Sequence, residues 1–245
     1  MLKKWTQCRQ CKSKQSPTIP AGYFKTEEIK NGIHYIVTKE CLCHKNWRLE
    51  EEKYQKFISS GFDKDKYNLN FEDYKGTQSI GNITRLKNYI ELFPKDDKVR
   101  KTILYFWGLT DTQKTTVATI IANKLLSHFD IRYKICDDLF KIIIDNQYYP
   151  ENEEYEIKVQ QCINCDLLII DDVFNEIYTD KQLPFLEKFI QKRIDNKKGI
   201  IFISNVHLAD IKNMSIKNLI KKYTDKNKTE FNFFDIYNDI PEVLF

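Results

Sequence analysis

The sequence predicts an α/β domain on a central parallel sheet, preceded by a small zinc-binding module. Three stretches predict the α/β part. Lys101 to Thr116, KTILYFWGLTDTQKTT, runs from an apolar strand through a polar loop to Lys-Thr, and an amphipathic segment, VATIIANKLL, follows. Asp166 to Val173, DLLIIDDV, is an apolar strand ending in paired carboxylates, and Gly199 to Asn205, GIIFISN, is an apolar strand ending in a polar residue. Runs this short and this rich in strand formers read as buried parallel strands, which deliver polar groups to their carboxyl ends.

The first stretch has the layout of a phosphate-binding P-loop. Backbone N–H groups of the loop and of the following helix face the phosphates, and the helix dipole favours the anion. Gly108 ends the strand, and Thr112, Gln113, Lys114, Thr115 and Thr116 complete the nucleotide-binding set. Lys114 would reach the β- and γ-phosphates, and Thr115 would place its hydroxyl on Mg²⁺. The pattern G-x-x-x-x-G-K-[ST] has glycine where this chain has Gln113. Glycine allows unusual φ/ψ and a close approach to phosphate. Gln113 must therefore fit a slightly different loop or point its amide outward. In the acidic stretch, Asp171 would hold Mg²⁺ through water and Asp172 would polarise the attacking water. The competing reading is a core strand followed by a solvated Asp pair. Asn205 suits a sensor of the γ-phosphate or of that water.

Taken together, GLTDTQKTT, CDLLIIDDVFNE and KRIDNKKGIIFISN resemble the helicase-loader ATPases of the DnaC/DnaI type. These belong to the AAA+ class, in a branch that includes the IstB-like transposition helpers. The resemblance spans roughly Ile83 to Asn205, about half the chain. It implies an AAA+ core, ATP with Mg²⁺, and slow or partner-stimulated ATP hydrolysis. The implied partners are a hexameric replicative DNA helicase and single-stranded DNA, with self-assembly on the helicase. It also implies a role for Arg193 toward a neighbouring nucleotide; a surface Arg near a helix C-terminus is the plain alternative. The chain has no Arg beyond Arg193, so Lys221 or Lys222 would have to replace a later arginine finger. A point charge lacks the guanidinium fork.

In the N-terminal part, Cys8-Arg9-Gln10-Cys11 is followed about 30 residues later by Cys41-Leu42-Cys43-His44. Asn31-Gly32 between strand-forming stretches is an I′ hairpin signal. Such a hairpin would bring Cys41 and Cys43 beside Cys8 and Cys11, a closed tetrahedral Zn²⁺ site. His44 competes with Cys43 as fourth ligand; Cys43 is favoured. By the resemblance, this zinc module contacts the helicase. Residues 1–48 carry ten Lys/Arg against three acids, a formal +7, which favours an acidic partner.

The expected organisation is a zinc module over 1–48, a helix and linker over 49–80, and the ATPase core over 81–245. Asn46 to Ser60 reads as a helix stopped by Gly61. Tyr67, Leu69, Phe71 and Tyr74 in the linker are candidates to dock on a neighbour. Asn82 to Phe93, a helix capped by Asp137, and Leu183 to Asn196 are further helices; Ile131 to Cys136 is a strand. FNFFDIYNDIPEVLF reads as a terminal strand and tail. Cys162-Ile163-Asn164-Cys165 has no second pair nearby and reads as structural.

The apolar runs stay near five residues, against about 20 for a membrane span, and no apolar leader opens the chain. With seven cysteines, an odd number, this points to reduced thiols or metal ligands in a cytosol, and the loader resemblance implies a bacterial or phage-infected one. Three further classes stand beside the loader: an IstB-like helper, a non-hydrolysing adaptor or inhibitor of replication, and a small-molecule P-loop kinase.

Overall fold

The computed structural model describes residues 22–75, 80–175, 178, 182–224 and 230–233. The chain divides into two compact units at Ser59/Ser60.

In the first unit, β1 (Tyr23–Lys30) pairs antiparallel with β2 (Ile33–Glu40) in the register Tyr23↔Glu40 to Lys30↔Ile33. Asn31 and Gly32 both have positive φ, 52° and 76°, as the I′ turn requires. The Cys41 N–H donates to the Gly22 carbonyl at 2.7 Å. Helix α1 (Leu42–Ser59) follows at once, four residues earlier than expected. Glu40 fastens the hairpin to it, accepting from Arg48 and pairing with His44 Nδ1 at 2.7 Å. Arg48 and His44 hold the Glu40 carboxyl below its usual range.

The second unit holds a five-stranded sheet. Helices α2 (Ile80–Leu92) and α3 (Asp97–Arg100) lead into β3 (Ile103–Gly108) and then α4 (Lys114–Leu125). Strand β4 (Ile131–Ile135), α5 (Cys136–Tyr148) and α6 (Glu153–Asn164) precede β5 (Leu167–Asp171). Helix α7 (Gln182–Asp195), β6 (Gly199–Ser204), α8 (Met214–Thr224) and β7 (Glu230–Phe233) complete the order. Asp137 lies in the first turn of α5, and Ile135 occupies the N-cap instead. The carboxylate still suits the helix dipole. Of the expected C-terminal strand and tail, residues 234–245 lie outside the described residues.

The strand order is β4-β5-β6-β3-β7, and every pairing is parallel. Leu167–Ile170 and Ile200–Phe202 are fully buried, as a sheet covered on both faces requires. Burying each such side chain contributes about 1.5–3 kcal/mol. Parallel pairing puts all carboxyl ends at one edge. β6 lies between β3 and β5, so Asn205 emerges between the loop after Gly108 and the acids after Ile170.

The stretch expected as a linker packs on this unit. Gly61 has φ +98°, and a Cβ there would stand 2.5 Å from the Tyr133 carbonyl oxygen. The Tyr133 N–H donates to the Ser60 carbonyl at 2.8 Å, and the Phe62 ring lies against Tyr133. Further on, Asn123 of α4 donates to the Lys66 carbonyl at 3.2 Å, and Lys124 to Asn70 at 2.9 Å. Among the described residues no helix is long and apolar enough to cross a membrane.

Candidate functional site

The carboxyl edge of the sheet carries a cleft of about 330 Å³. Its lining includes Thr112, Gln113, Lys114, Thr115, Asp171 and Asn205. Thr116 and Asp172 line it as well.

The phosphate loop turns on two left-handed residues, Asp111 (φ 64°) and Gln113 (φ 63°, ψ 23°). A non-glycine residue in that region costs on the order of 1 kcal/mol or more. Gln113 adopts a glycine-like backbone, and its side-chain Oε1 accepts the Lys75 N–H at 3.0 Å. That hydrogen bond offsets part of the strain.

Lys114 is buried, with its Nζ turned into the loop. It donates to the carbonyls of Gly108 at 2.9 Å and Leu109 at 2.5 Å, and to Thr112 Oγ1 at 3.3 Å. Burial lowers its pKa, against the opposing pull of Asp171, Asp172 and Asp111. Thr115 Oγ1 donates to Asp171 Oδ2 at 2.7 Å, so the first residues of α4 and the end of β5 meet. Asp171 Oδ1 accepts the Asp172 N–H at 2.9 Å.

Two residues that sequence reasoning missed complete this arrangement. The Tyr133 hydroxyl donates to Asp171 Oδ2 at 2.8 Å, and burial with the nearby carboxylate raises its pKa. Tyr133 sits mid-strand in β4, paired with Ile169, two residues before Asp171. A tyrosine inside an ordinary strand pattern carries no sign of this. The second is Asn175. Its amide donates to Asp172 Oδ1, and its carbonyl accepts the Asn205 N–H at 2.8 Å. Glu176, next to it, lies outside the described residues. Asp172 is exposed with φ 62°, and Asn205 Nδ2 reaches Thr110 Oγ1 at 3.5 Å. The two proposed catalytic groups thus share one amide.

Arg193 is a correction. It is fully buried within the fold. Its guanidinium donates to the carbonyls of Cys162, Ile163, Cys165 and Gly199 and to Cys165 Sγ. Carbonyls at the end of α6 have no helical partner, and a cation there also suits the dipole. Arg193 therefore caps α6 and joins it to β6. Cys162 and Cys165 are both buried, in keeping with a structural reading, and burial pushes the Cys162 thiol up to about 11.

Cys8 and Cys11 lie outside the described residues. Cys41 is buried where β2 meets α1, and its Sγ accepts the His44 N–H at 3.4 Å; Cys43 is half-buried beside it. Among the described residues no group of three or more His, Cys, Asp or Glu is placed to hold a metal ion.

No protein-family model and no curated protein sequence matches the chain. Solved structures do match. The replication initiator DnaA bound to AMPPCP and single-stranded DNA aligns at TM-score 0.54 and 14% identity, over 67% of this chain and 49% of its own. The chain thus spans about half the length of the DnaA structures it matches. The DnaC helicase loader aligns at TM-score 0.50 and 18% identity, over 70% of this chain and 99% of its own. DnaI aligns at 0.52 and 15%, over 71% and 94%. At such identities the likeness is one of fold, an α/β core on a parallel sheet that the chain has in common with DnaA, DnaC and DnaI.

Proposed function

We propose that the chain is an ATP-binding helicase loader. It would grip a hexameric replicative helicase and assist its placement on single-stranded DNA, in phage or mobile-element replication in a bacterial cytosol. The observation that carries the reading is the meeting of Lys114, Thr115, Asp171 and Asn205 at one edge of a sheet shared with DnaC and DnaI. The fold of a DnaA bound to AMPPCP and single-stranded DNA supports a nucleotide there.

The residues present suit a magnesium nucleotide. Thr115 Oγ1 and Asp171 Oδ2 are hard oxygen donors side by side, the type Mg²⁺ selects. Lys114 and the amino end of α4 supply the positive field for phosphate. When bound, Mg²⁺ would neutralise phosphate charge. Asp172, held by Asn175, would orient and accept a proton from water, and Asn205 would sense the terminal phosphate. Asp171→Asn is expected to weaken Mg²⁺-dependent ATP binding. Asp172→Asn is expected to keep binding and remove turnover. Nucleotide titrations and phosphate-release assays check the pair; identical effects would refute the division of roles.

A second reading has its own observation. The only arginine late in the core, Arg193, is buried, and no Arg follows it. A non-hydrolysing adaptor that binds ATP and lacks fast turnover fits that state.

We further propose that Cys8, Cys11, Cys41 and Cys43 hold one structural Zn²⁺, with His44 as the competing fourth ligand. Cys41 already accepts a backbone N–H at Sγ, as a knuckle thiolate does. His44 Nδ1 is engaged by Glu40, the kind of carboxylate partner a ligating histidine commonly has on its other nitrogen. Cys8→Ser with Cys11→Ser, or removal of residues 1–48, should release one zinc per chain and abolish helicase binding. ATP affinity should stay within about threefold, since zinc supplies folding energy to its own module. Metal analysis and capture from a host lysate test both parts. Helicase capture by residues 76–245 alone would place the grip elsewhere, and capture of a transposase would favour the IstB-like role.

A further inference from the structure

The segment from Phe62 to Lys75 does more than connect. It is fastened to the phosphate-loop helix at successive points: the Lys66 and Leu69 carbonyls to Asn123, Asn70 to Lys124, and the Lys75 N–H to Gln113. The Lys87 ammonium of α2 lies over the Phe71 ring. Lys66, half-buried, is thereby carried into the cleft lining. The sequence gives no reason to single it out among so many lysines.

We propose that this segment is a wall of the nucleotide cleft and that Lys66 is a second nucleotide-binding cation, placed on the proximal-phosphate and ribose side of Lys114. The assignment rests on the nucleotide reading above and extends it. The side follows from helix geometry. Thr115 faces Asp171 and marks the metal and terminal-phosphate side. Thr116 is about 100° further round α4, and Asn123, seven residues on, shares its face. Asn123 is the residue that holds Lys66. A cation on that face meets the portion common to di- and triphosphates. Gln113 belongs to the same arrangement. It lacks glycine's conformational ease, yet its side chain pins the far end of the segment.

Lys66→Met should weaken MgATP and MgADP by the same factor, about fivefold to tenfold at low salt, the size of one partly screened charge contact. The loss should shrink as salt rises toward about 0.5 M. Lys66→Arg should retain most of the affinity, because the charge remains. Gln113→Gly should weaken wild-type binding and have little further effect in the Lys66→Met background, since both act through one segment. Calorimetric titration of the full-length protein with each nucleotide reads all of this, with a thermal melt to verify folding. Unchanged affinity for both nucleotides in folded Lys66→Met overturns the proposal while leaving the nucleotide site standing. A loss for ATP alone overturns the assigned side. If wild type binds neither nucleotide, the underlying reading fails and this inference with it.

Discussion

Lys114→Ala is expected to abolish measurable ATP binding and leave the fold intact. On the proposed reading the ammonium would be the main phosphate cation at the amino end of α4. Hydrogen bonds to charged partners are worth about 1.5–3 kcal/mol each. A lysine contacting two phosphate oxygens thus supports a loss of about 3 kcal/mol or more, at least a hundredfold in affinity. Its own partners are carbonyls of the loop and the Thr112 hydroxyl, which water replaces once the side chain is gone. The melting temperature should therefore move little. Titration with MgATP decides the matter: binding retained within tenfold would refute the P-loop assignment.

Arg193 is expected to behave in the opposite way. Arg193→Ala should unfold the sheet domain more easily, by about 3–5 kcal/mol, as when several buried polar groups lose a charged partner. Its guanidinium serves four carbonyls from the end of α6, its C-cap and the start of β6, and truncation removes that partner in the interior. For a chain of this size the melting temperature should fall by roughly 10 °C. Arg193→Lys should recover only part of this, since one ammonium cannot span both elements. Were Arg193 a finger reaching a neighbouring nucleotide, the alanine variant would keep its melting temperature and lose only partner-stimulated hydrolysis. Calorimetric melting of the variants separates the two.

The contrast between these residues shows what the sequence carries. The strand-end residues were legible because parallel strands present their carboxyl ends together, so strand ends alone locate Gly108, Asp171 and Asn205. The hairpin was legible because only a few residue pairs accept two consecutive positive φ angles, and Asn31-Gly32 is one of them. Arg193 was misread because a guanidinium in a last helical turn looks the same whether it faces water or the carbonyls of α6. Tyr133 and Asn175 act across strands, through a register that local pattern does not encode. The segment after Gly61 read as a linker because its packing uses backbone carbonyls, as at Lys66 and Leu69, which leave no trace in side-chain hydrophobicity.

The shared amide of Asn175 has a mechanical meaning. Asp172 and Phe174 both hold left-handed backbone, with φ of 62° and 65°, so the turn beyond β5 has little slack. Asn175 closes that turn with one end on the Asp172 carboxylate and the other on the Asn205 N–H. A displacement of Asn205 is passed to the Asp172 carboxylate with no freely rotating joint between them. The two groups respond as a rocker on a single pivot, and whatever moves the tip of β6 also sets the aim of the acid.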